Sequence, residues 1–291
     1  MLKSSNDKQR KKVTTRTIRE MKTRAEPITM LTAYDYGTAL AVDRAGIDAI
    51  LVGDSLGMVV LGYDTTLPVT MEDMLHHCRA VARGASYALL IGDMPFMSYQ
   101  ASVDDAVRNA GRFLQEAGMD AVKLEGGFER LDAVGAIISA GIPVMGHLGL
   151  TPQSVHQFGG FRAQGKEASA AKRLVEDALS LEEAGCFSIV LESIPTRLGK
   201  LVSERLEIPT IGIGAGLDCD GQVLVTHDLI GMFDRFTPRF VKRYAEIHLE
   251  MDKAFTSFRD DVQSKAFPSA EHCVEMKDEH WEALLASFDA N

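Results

Sequence analysis

The chain has 291 residues, of which 46% are hydrophobic and 25% are charged, and its formal net charge is −10 at pH 7. This composition is typical of a globular protein with a sizeable core, and the length suits either one large domain or two small ones. The negative charge argues against a nucleic-acid partner or an acidic membrane surface, and no apolar run approaches the roughly 20 residues of a membrane span.

The amino-terminal segment is strongly basic. Residues 1–24 contain nine lysines and arginines against Asp7 and Glu20. Because serines are few and no amphipathic period is evident, the segment is predicted to be a disordered, solvated arm and not a transit peptide.

The cysteine spacing indicates reduced thiols. No C-x-x-C pair occurs among the four cysteines, which are Cys78, Cys186, Cys219 and Cys273. This pattern favours a cytoplasmic protein and argues against a disulfide or zinc framework.

Short apolar runs and helical segments alternate from residue 28 onward. A strand is predicted at residues 28–35, a short helix follows at residues 38–45, and a second strand starts at Ala49. Glycine suits the left-handed turn that commonly ends a helix. Four helix–strand junctions share such a glycine, and they are Gly46, Gly118, Gly141 and Gly185. This repeat is the αβ loop of successive βα units, and it favours one wound domain over two.

The predicted strands carry polar residues at their carboxyl ends. Ala49–Val52 leads into Asp54 and Ser55. The later runs are Ala88–Asp93, Ala121–Glu125, Pro143–His147, Ser188–Glu192 and Thr210–Gly214. Continuous apolar strands are typical of a parallel sheet under helices, and ionisable strand ends indicate an α/β fold of the (β/α)8 TIM-barrel type. We predict a single catalytic barrel over residues 25–261, with its eighth strand at residues 223–226.

Two long loops and a tail complete the predicted architecture. The loops span residues 55–70 and 148–166, and loops of this length tend to act as functional lids. A polar helix from about residue 238 to 261 is expected to close the barrel. Residues 262–291 form an acidic tail, and four of its apolar residues have the spacing of one face of an amphipathic helix: Trp281, Leu284, Leu285 and Phe288.

Three acids lie at the ends of consecutive strands. Asp54, Asp93 and Glu125 follow strands two, three and four, and adjacent strands are about 4.8 Å apart, so the carboxylates could converge on one point. Without a cation they would repel one another, and one or more would stay protonated. A hard divalent ion resolves this, and Mg2+ prefers oxygen ligands. The pattern therefore favours a Mg2+ site, the alternative being that each acid caps a helix or pairs with a surface lysine.

Lys123 precedes Glu125 by two residues, so both side chains point to the same face of the strand. The lysine could neutralise a carboxylate, hold an anionic substrate or stabilise a developing oxyanion. A Schiff base is a weaker interpretation, because the neighbouring acids would keep the amine protonated.

Glu192 and His147 are the remaining candidates. Glu192 follows three apolar residues, and partial desolvation there suits a general base. The alternative is a structural ion pair with a nearby arginine such as Arg197. His147 either binds substrate or is a histidine whose hydrogen bonds are satisfied in the barrel mouth, and the sequence leaves both open.

These residues together predict a Mg2+-dependent enzyme that acts on a small oxo acid. The ion would chelate carboxylate and carbonyl oxygens and acidify the adjacent C–H bond, and Glu192 would remove the proton to give an enolate. The residues leave open which electrophile the enolate meets.

Several longer motifs are distinctive and follow one another between about Thr17 and His272. They are Thr29–Asp35, Val52–Gly57, Thr66–Thr70, Val122–Gly126, Gly146–Gln153, Ile211–Gly216 and Phe267–His272. In these motifs the chain closely resembles the ketopantoate hydroxymethyltransferase (3-methyl-2-oxobutanoate hydroxymethyltransferase) family.

The resemblance implies transfer of a one-carbon unit from 5,10-methylenetetrahydrofolate to 3-methyl-2-oxobutanoate, the committed step toward pantothenate. It also implies a barrel of the phosphoenolpyruvate mutase/isocitrate lyase type and a homo-oligomer, commonly a decamer. The metal-site acids of that family match Asp54, Asp93 and Glu125. Its oxo-acid contacts match Asp54, Ser55, Asp93 and Lys123, with His147 nearby, and its catalytic base matches Glu192.

Two alternatives from other classes compete with this interpretation. A carbon–carbon lyase of the isocitrate lyase type would share the barrel and the metal chemistry, but the Lys-Cys-Gly-His loop in which those enzymes resemble one another does not occur here. A non-catalytic barrel with a nucleic-acid-binding basic arm is opposed by the overall charge and by the intact set of acids.

Overall fold

The structure is a computed structural model that describes residues 10–289, and the chain divides after Tyr244 into two compact units. None of the helices in these residues is long and apolar enough to cross a membrane.

The first unit is a closed barrel of eight parallel strands, counted over its described residues. Each strand pairs with the next in sequence, and the eighth pairs with the first. The strands are β1 (Ile28–Thr32), β2 (Ala49–Val52), β3 (Leu89–Asp93), β4 (Ala121–Glu125), β5 (Val144–Gly149), β6 (Ser188–Glu192), β7 (Thr210–Ile213) and β8 (Gly221–Leu224). The predicted (β/α)8 barrel is confirmed, although its eighth strand begins and ends two residues earlier than predicted.

In this unit one helix precedes the first strand, and the other helices lie after the strands in chain order. The helices are α1 (Thr15–Thr23), α2 (Tyr36–Arg44), α3 (Leu56–Val59), α4 (Met71–Gly84), α5 (Val103–Ala117), α6 (Leu131–Ser139), α7 (Val155–Phe158), α8 (Ala168–Glu183), α9 (Thr196–Arg205) and α10 (Thr226–Leu229). Short 3-10 turns lie at Phe128–Arg130 and Pro152–Ser154. The two predicted long loops therefore contain the short helices α3 and α7.

Alternate residues of each strand enter two different cores, which explains the continuous apolar runs. In β2, Ile50 and Val52 pack in the large core with the surrounding helices, whereas Ala49 and Leu51 belong to the core inside the barrel. Successive side chains of a strand point to opposite faces, so a strand buried on both faces needs apolar residues at every position.

The prediction of a disordered arm is wrong for residues 10–24; residues 1–9 lie outside the described residues. Thr14 caps α1, and Ile18 and Met21 are buried in the core inside the barrel together with Val13. Lys22 Nζ lies 3.0 Å from Asp220 Oδ2. Because its few apolar residues cover the interior of the barrel, this basic segment is folded.

The second unit contains two helices, counted over its described residues 245–289. They are α11 (Ile247–Gln263) and α12 (Asp278–Asp289), with a 3-10 turn at Ala270–His272 between them. The helix predicted from residue 238 starts only at Ile247, and the chain divides at Tyr244 and not at residue 261. The helix predicted around Trp281 is present as α12.

Candidate active site

The carboxyl ends of the strands open into a cavity of about 390 Å³. All of the predicted site residues line it, namely Asp54, Ser55, Asp93, Lys123, Glu125, His147 and Glu192. The structure therefore brings these side chains together in one cavity, and their roles remain predictions.

The alternation of the strands places most of these side chains. In β4, Ala121 lies in the core inside the barrel, and Lys123 and Glu125 continue the same inward row into the cavity. Met145 and Val190 are inward residues of β5 and β6, each followed two positions later by a site residue. The inward-facing residues of these strands are apolar near the amino end of the strand and ionisable at its carboxyl end. The charged groups therefore lie at the mouth of the barrel.

The strand register then sets which groups meet. Asp93 is paired with Lys123, and Glu125 is paired with His147. Lys123 Nζ lies 2.8 Å from Asp93 Oδ1, and both side chains are buried. Although burial favours the neutral amine, the carboxylates of Asp93, Glu125 and Asp54 outweigh it and raise the pKa of Lys123. The lysine is therefore a fixed positive charge, which opposes its use as a Schiff-base nucleophile.

The acids at the centre of the cavity are strongly perturbed. Burial, followed by the charges of Asp93 and Glu125, raises the pKa of Asp54 well above its usual value. Burial also raises the pKa of Asp93, although Lys123 opposes it. The backbone N–H of Asp54 donates to Asp93 Oδ2 at 3.1 Å. Without a bound cation, the cluster resists carrying all of its negative charges at once.

His147 connects the acid cluster to the predicted base. Its Nδ1 lies 3.5 Å from Glu125 Oε1, and its Nε2 lies 3.2 Å from Glu192 Oε2. Burial and Lys123 act to lower the pKa of His147, but Glu125 and Glu192 outweigh them and raise it to about 9. Lys123 Nζ also lies 3.2 Å from Nδ1, a contact that is a hydrogen bond only while Nδ1 carries no proton. His147 therefore contacts site residues through both ring nitrogens.

The backbone holds Glu192 firmly at the rim of the cavity. Its carbonyl oxygen accepts the backbone N–H of Leu150 at 2.8 Å, and a Cβ at Gly149 would collide with that oxygen. Ser193 adopts a left-handed φ of 48°, which is unfavourable for a residue with a side chain, and its N–H donates to the carbonyl oxygen of Ile213. Among the described residues, the ion pair of Glu192 is with His147 and not with Arg197, the alternative considered from the sequence.

Ser55 immediately precedes α3 and is linked to the segment that follows β1. Its hydroxyl is 2.9 Å from the hydroxyl of Tyr34, which is fully buried. Gly53 directly precedes Asp54, and a Cβ at position 53 would lie 2.7 Å from Ser55 Oγ. A side chain at position 53 would therefore disturb the loop that carries Asp54 and Ser55.

Gln153 is a site residue that the sequence prediction missed. Its Nε2 donates to Asp54 Oδ2 at 2.9 Å and to the carbonyl oxygen of Met94 at 2.9 Å, and its backbone N–H donates to Glu125 Oε2 at 3.0 Å. The hydroxyl of Tyr99 donates to Gln153 Oε1 at 2.7 Å and accepts the backbone N–H of Glu125. Gln153 thus binds two of the three acids; its only signal in the sequence was its place in the motif Gly146–Gln153.

The donor set fits a hard divalent cation. In the described part of the chain, no three His, Cys, Asp or Glu side chains already form a complete metal-binding group. However, Glu125 Oε1 is buried and has no hydrogen-bond donor among the described residues. Carboxylate oxygens that are buried, mutually repelling and incompletely paired are the ligands that Mg2+ prefers.

The fold and this cavity define a class of protein. A (β/α)8 barrel with a buried cluster of carboxylates, a charged lysine and a histidine at the carboxyl ends of its strands has the features of a barrel enzyme.

Comparisons with known proteins identify the family. Residues 12–270 match the ketopantoate hydroxymethyltransferase family, so the chain belongs to this family. It is 58% identical to the 3-methyl-2-oxobutanoate hydroxymethyltransferase of Syntrophomonas wolfei, over 92% of this chain and 97% of that protein. It is 59% identical to the enzyme of the same name from Syntrophus aciditrophicus, over 90% of this chain and 96% of that protein. The family resemblance found in the sequence motifs is confirmed.

Solved structures confirm the type of barrel. Phosphonopyruvate hydrolase, solved as a complex with oxalate and Mg2+, superposes with a TM-score of 0.59 at 15% identity, covering 94% of this chain and 98% of that chain. The 2,3-dimethylmalate lyase, a member of the phosphoenolpyruvate mutase/isocitrate lyase superfamily, superposes with a TM-score of 0.53 at 10% identity, covering 95% and 98%. At these identities the similarity establishes the fold.

Proposed function

We propose that this chain transfers a hydroxymethyl group from 5,10-methylenetetrahydrofolate to 3-methyl-2-oxobutanoate, giving 2-dehydropantoate for pantothenate biosynthesis. The names of its relatives support the reaction. The observation that carries the proposal for this chain is the arrangement of one cavity, with a buried carboxylate cluster beside a charged lysine and Glu192 at the rim.

The oxo acid binds at the carboxylate cluster. Asp54, Asp93 and Glu125 would hold Mg2+, which when bound supplies Lewis acidity to the carbonyl oxygen of the oxo acid. Lys123 provides a fixed positive charge for the anionic substrate and for the oxyanion that develops during the reaction. Ser55 and His147 line the same cavity and complete the polar contacts.

Glu192 acts as the general base. Its carboxylate removes the proton on C3 of the oxo acid, and the electron pair of the broken C–H bond forms the enolate. The new carbon–carbon bond joins C3 to the one-carbon unit, whose two C–N bonds to the folate nitrogens N5 and N10 break. Water supplies the hydroxyl group of the product, and the proton taken from C3 and the second proton of the water go to the two nitrogens as tetrahydrofolate leaves. His147, at 3.2 Å from the Glu192 carboxylate, orients this base and can hydrogen-bond to it when the proton has been transferred.

The location and assembly are also proposals. Cys78, Cys186, Cys219 and Cys273 are free, in agreement with a reducing compartment, and we place the protein in the cytoplasm. We propose a homo-oligomer, a decamer as the family resemblance implies. The exposed apolar side chains of α12 support a contact between subunits, since an exposed apolar stripe usually marks an interface.

A two-substrate assay tests the function. Purified protein with Mg2+ should form 2-dehydropantoate only when both 3-methyl-2-oxobutanoate and 5,10-methylenetetrahydrofolate are present. The same protein should not cleave 2,3-dimethylmalate, the reaction expected of a lyase with this fold. Absence of folate-dependent product, or cleavage of the lyase substrate at a higher rate, would refute the proposal.

A further inference from the structure

The cavity extends well beyond the carboxylate cluster. At about 390 Å³ it falls in the range of sites that bury drug-sized ligands, roughly 300–1,000 Å³, whereas the residues proposed to bind a small oxo acid occupy its polar part. Much of the remaining lining comes from the loops after β2, β5 and β8. We call one part of it the aromatic pocket, defined by Phe161, Asp228, Phe233, Phe236, Arg239 and Phe240.

The walls of the aromatic pocket suit a planar ring. Phe161 is 49% exposed and Phe236 is 50% exposed, although both line a cavity. The rings of Phe233 and Phe236 meet edge to face, with centroids 5.5 Å apart and an interplanar angle of 86°. Exposed aromatic faces at a cavity offer stacking surfaces to an aromatic ligand.

Asp228 is a carboxylate in this pocket that the folded chain does not satisfy. The residue is 8% exposed, and no hydrogen bond or ion pair of its carboxylate is described within residues 10–289. Its oxygens are not among the fully buried unpaired atoms, so they reach the cavity that the residue lines. Burial raises the pKa of Asp228 to about 6, with Arg243 opposing this shift. A buried carboxylate without donors is unfavourable, so a ligand that supplies N–H groups would stabilise it.

The rim of the aromatic pocket carries a positive charge. Arg239 lines the cavity and is exposed, and no ion pair of its guanidinium is described in residues 10–289. The pocket therefore offers, in one cavity, a hydrogen-bond acceptor, aromatic walls and a cation.

The folate cosubstrate has the complementary groups. The pyrimidinone half of its reduced pterin is planar and carries a ring N–H beside an amino group, two parallel donors that a carboxylate can accept together. Its benzoylglutamate end is anionic. We propose that the aromatic pocket binds 5,10-methylenetetrahydrofolate, with Asp228 accepting the two pterin N–H donors and Arg239 binding the glutamate carboxylate. This assignment rests on the proposed function.

Asp228 has a simpler structural explanation, which is that it balances Arg243. The Nη2 of Arg243 donates to Thr237 Oγ1 at 2.7 Å and to the carbonyl oxygen of Phe233 at 3.3 Å, so the arginine holds the aromatic segment in place. In that case the loss of the carboxylate would disturb the segment as a whole. Both substrates would then be affected, and the protein would lose stability.

Asp228→Asn separates the two explanations, with Asp234→Asn as the matched control. Asp234 is exposed, lies in the same segment and does not line the cavity. For Asp228→Asn we expect the KM for methylenetetrahydrofolate to rise by about 10- to 100-fold, as for a lost hydrogen bond to a charged group. The KM of the oxo acid, measured by deuterium exchange at C3 without folate, should stay within about twofold. Asp234→Asn should leave both constants unchanged.

A folate analogue provides a second, independent measurement. A 2-desamino tetrahydrofolate lacks one of the two proposed donors. The affinity of wild type for this analogue should be at least about tenfold lower than its affinity for tetrahydrofolate. The Asp228→Asn variant should bind both compounds with similar, weak affinity. Arg239→Ala should weaken the binding of tetrahydrofolate but not the binding of tetrahydropteroate, which lacks the glutamate.

The outcomes distinguish this inference from the proposed function. An unchanged folate KM in Asp228→Asn, or a proportional loss of oxo-acid exchange, would overturn the pterin assignment. Equal discrimination against the 2-desamino analogue by wild type and Asp228→Asn would also overturn it. If wild type itself gave no folate-dependent product, the proposed function would fail instead.

Discussion

Removing the Gln153 side-chain amide should loosen the carboxylate cluster without touching any proposed ligand. Gln153→Met keeps the approximate volume but removes the donors to Asp54 and Met94 and the acceptor for Tyr99. The backbone N–H to Glu125 remains. The substitution is therefore a test of positioning, since the proposed metal ligands themselves are unchanged.

The expected loss follows from the burial of these partners. Gln153 and Asp54 are 6% and 4% exposed, so solvent cannot readily replace the lost donor. A hydrogen bond to a charged group contributes about 1.5–3 kcal/mol, and the bond to the carbonyl of Met94 about 1 kcal/mol more. We expect the free energy of unfolding to fall by about 2–4 kcal/mol. Changing a residue that orients a metal ligand typically lowers metal affinity by about 10- to 100-fold.

Calorimetric titration of Mg2+ with the oxo acid, together with thermal unfolding, measures both effects. Gln157→Met is the matched control, because Gln157 is exposed in α7 and does not line the cavity. Wild-type affinity for Mg2+ and oxo acid in Gln153→Met would refute a positioning role, even if the protein were less stable.

Three further predictions follow from the fold and the site. Asp93→Ala and Glu125→Ala should weaken Mg2+ and oxo-acid binding together, and full-strength oxo-acid binding by EDTA-treated wild type in calorimetry would contradict this. Truncation after Ser264 removes α12 and should give oligomers with fewer subunits. An unchanged number of subunits, calculated from the mass in light scattering, would exclude a role of α12 in assembly. Ile18→Ala should lower the free energy of unfolding by about 2–5 kcal/mol because the residue is 1% exposed, whereas Arg19→Ala should not. Equal melting temperatures for these last two variants would argue against a structural role of α1.

The sequence predicted the barrel because its strands carry local information. A strand such as Ala49–Val52 is apolar at every position, and this pattern is tied to burial on both faces. The same alternation put Lys123 and Glu125 on one face and predicted that both enter the site. The convergence of the acids could be predicted because neighbouring strands in sequence are neighbours in the barrel.

What the sequence could not predict depends on contacts between distant residues. Gln153 reaches Asp54 across 99 positions of sequence, through the path of a loop that no periodic pattern describes. The contact of His147 with Glu192 depends on how β5 and β6 align. In α1, the basic composition concealed Ile18 and Met21, whose burial depends on the barrel interior they cover.

The central claim is that Glu192 removes a proton from an oxo acid held at the carboxylate cluster, and deuterium exchange at C3 of 3-methyl-2-oxobutanoate tests it most directly. Glu192→Gln preserves the shape of the side chain and removes the proton acceptor. We predict that the variant binds the oxo acid in the presence of Mg2+ about as tightly as wild type, while its exchange rate falls by about 10²- to 10⁴-fold, the usual contribution of a general base. Exchange near the wild-type rate would assign the base to another residue and contradict this mechanism.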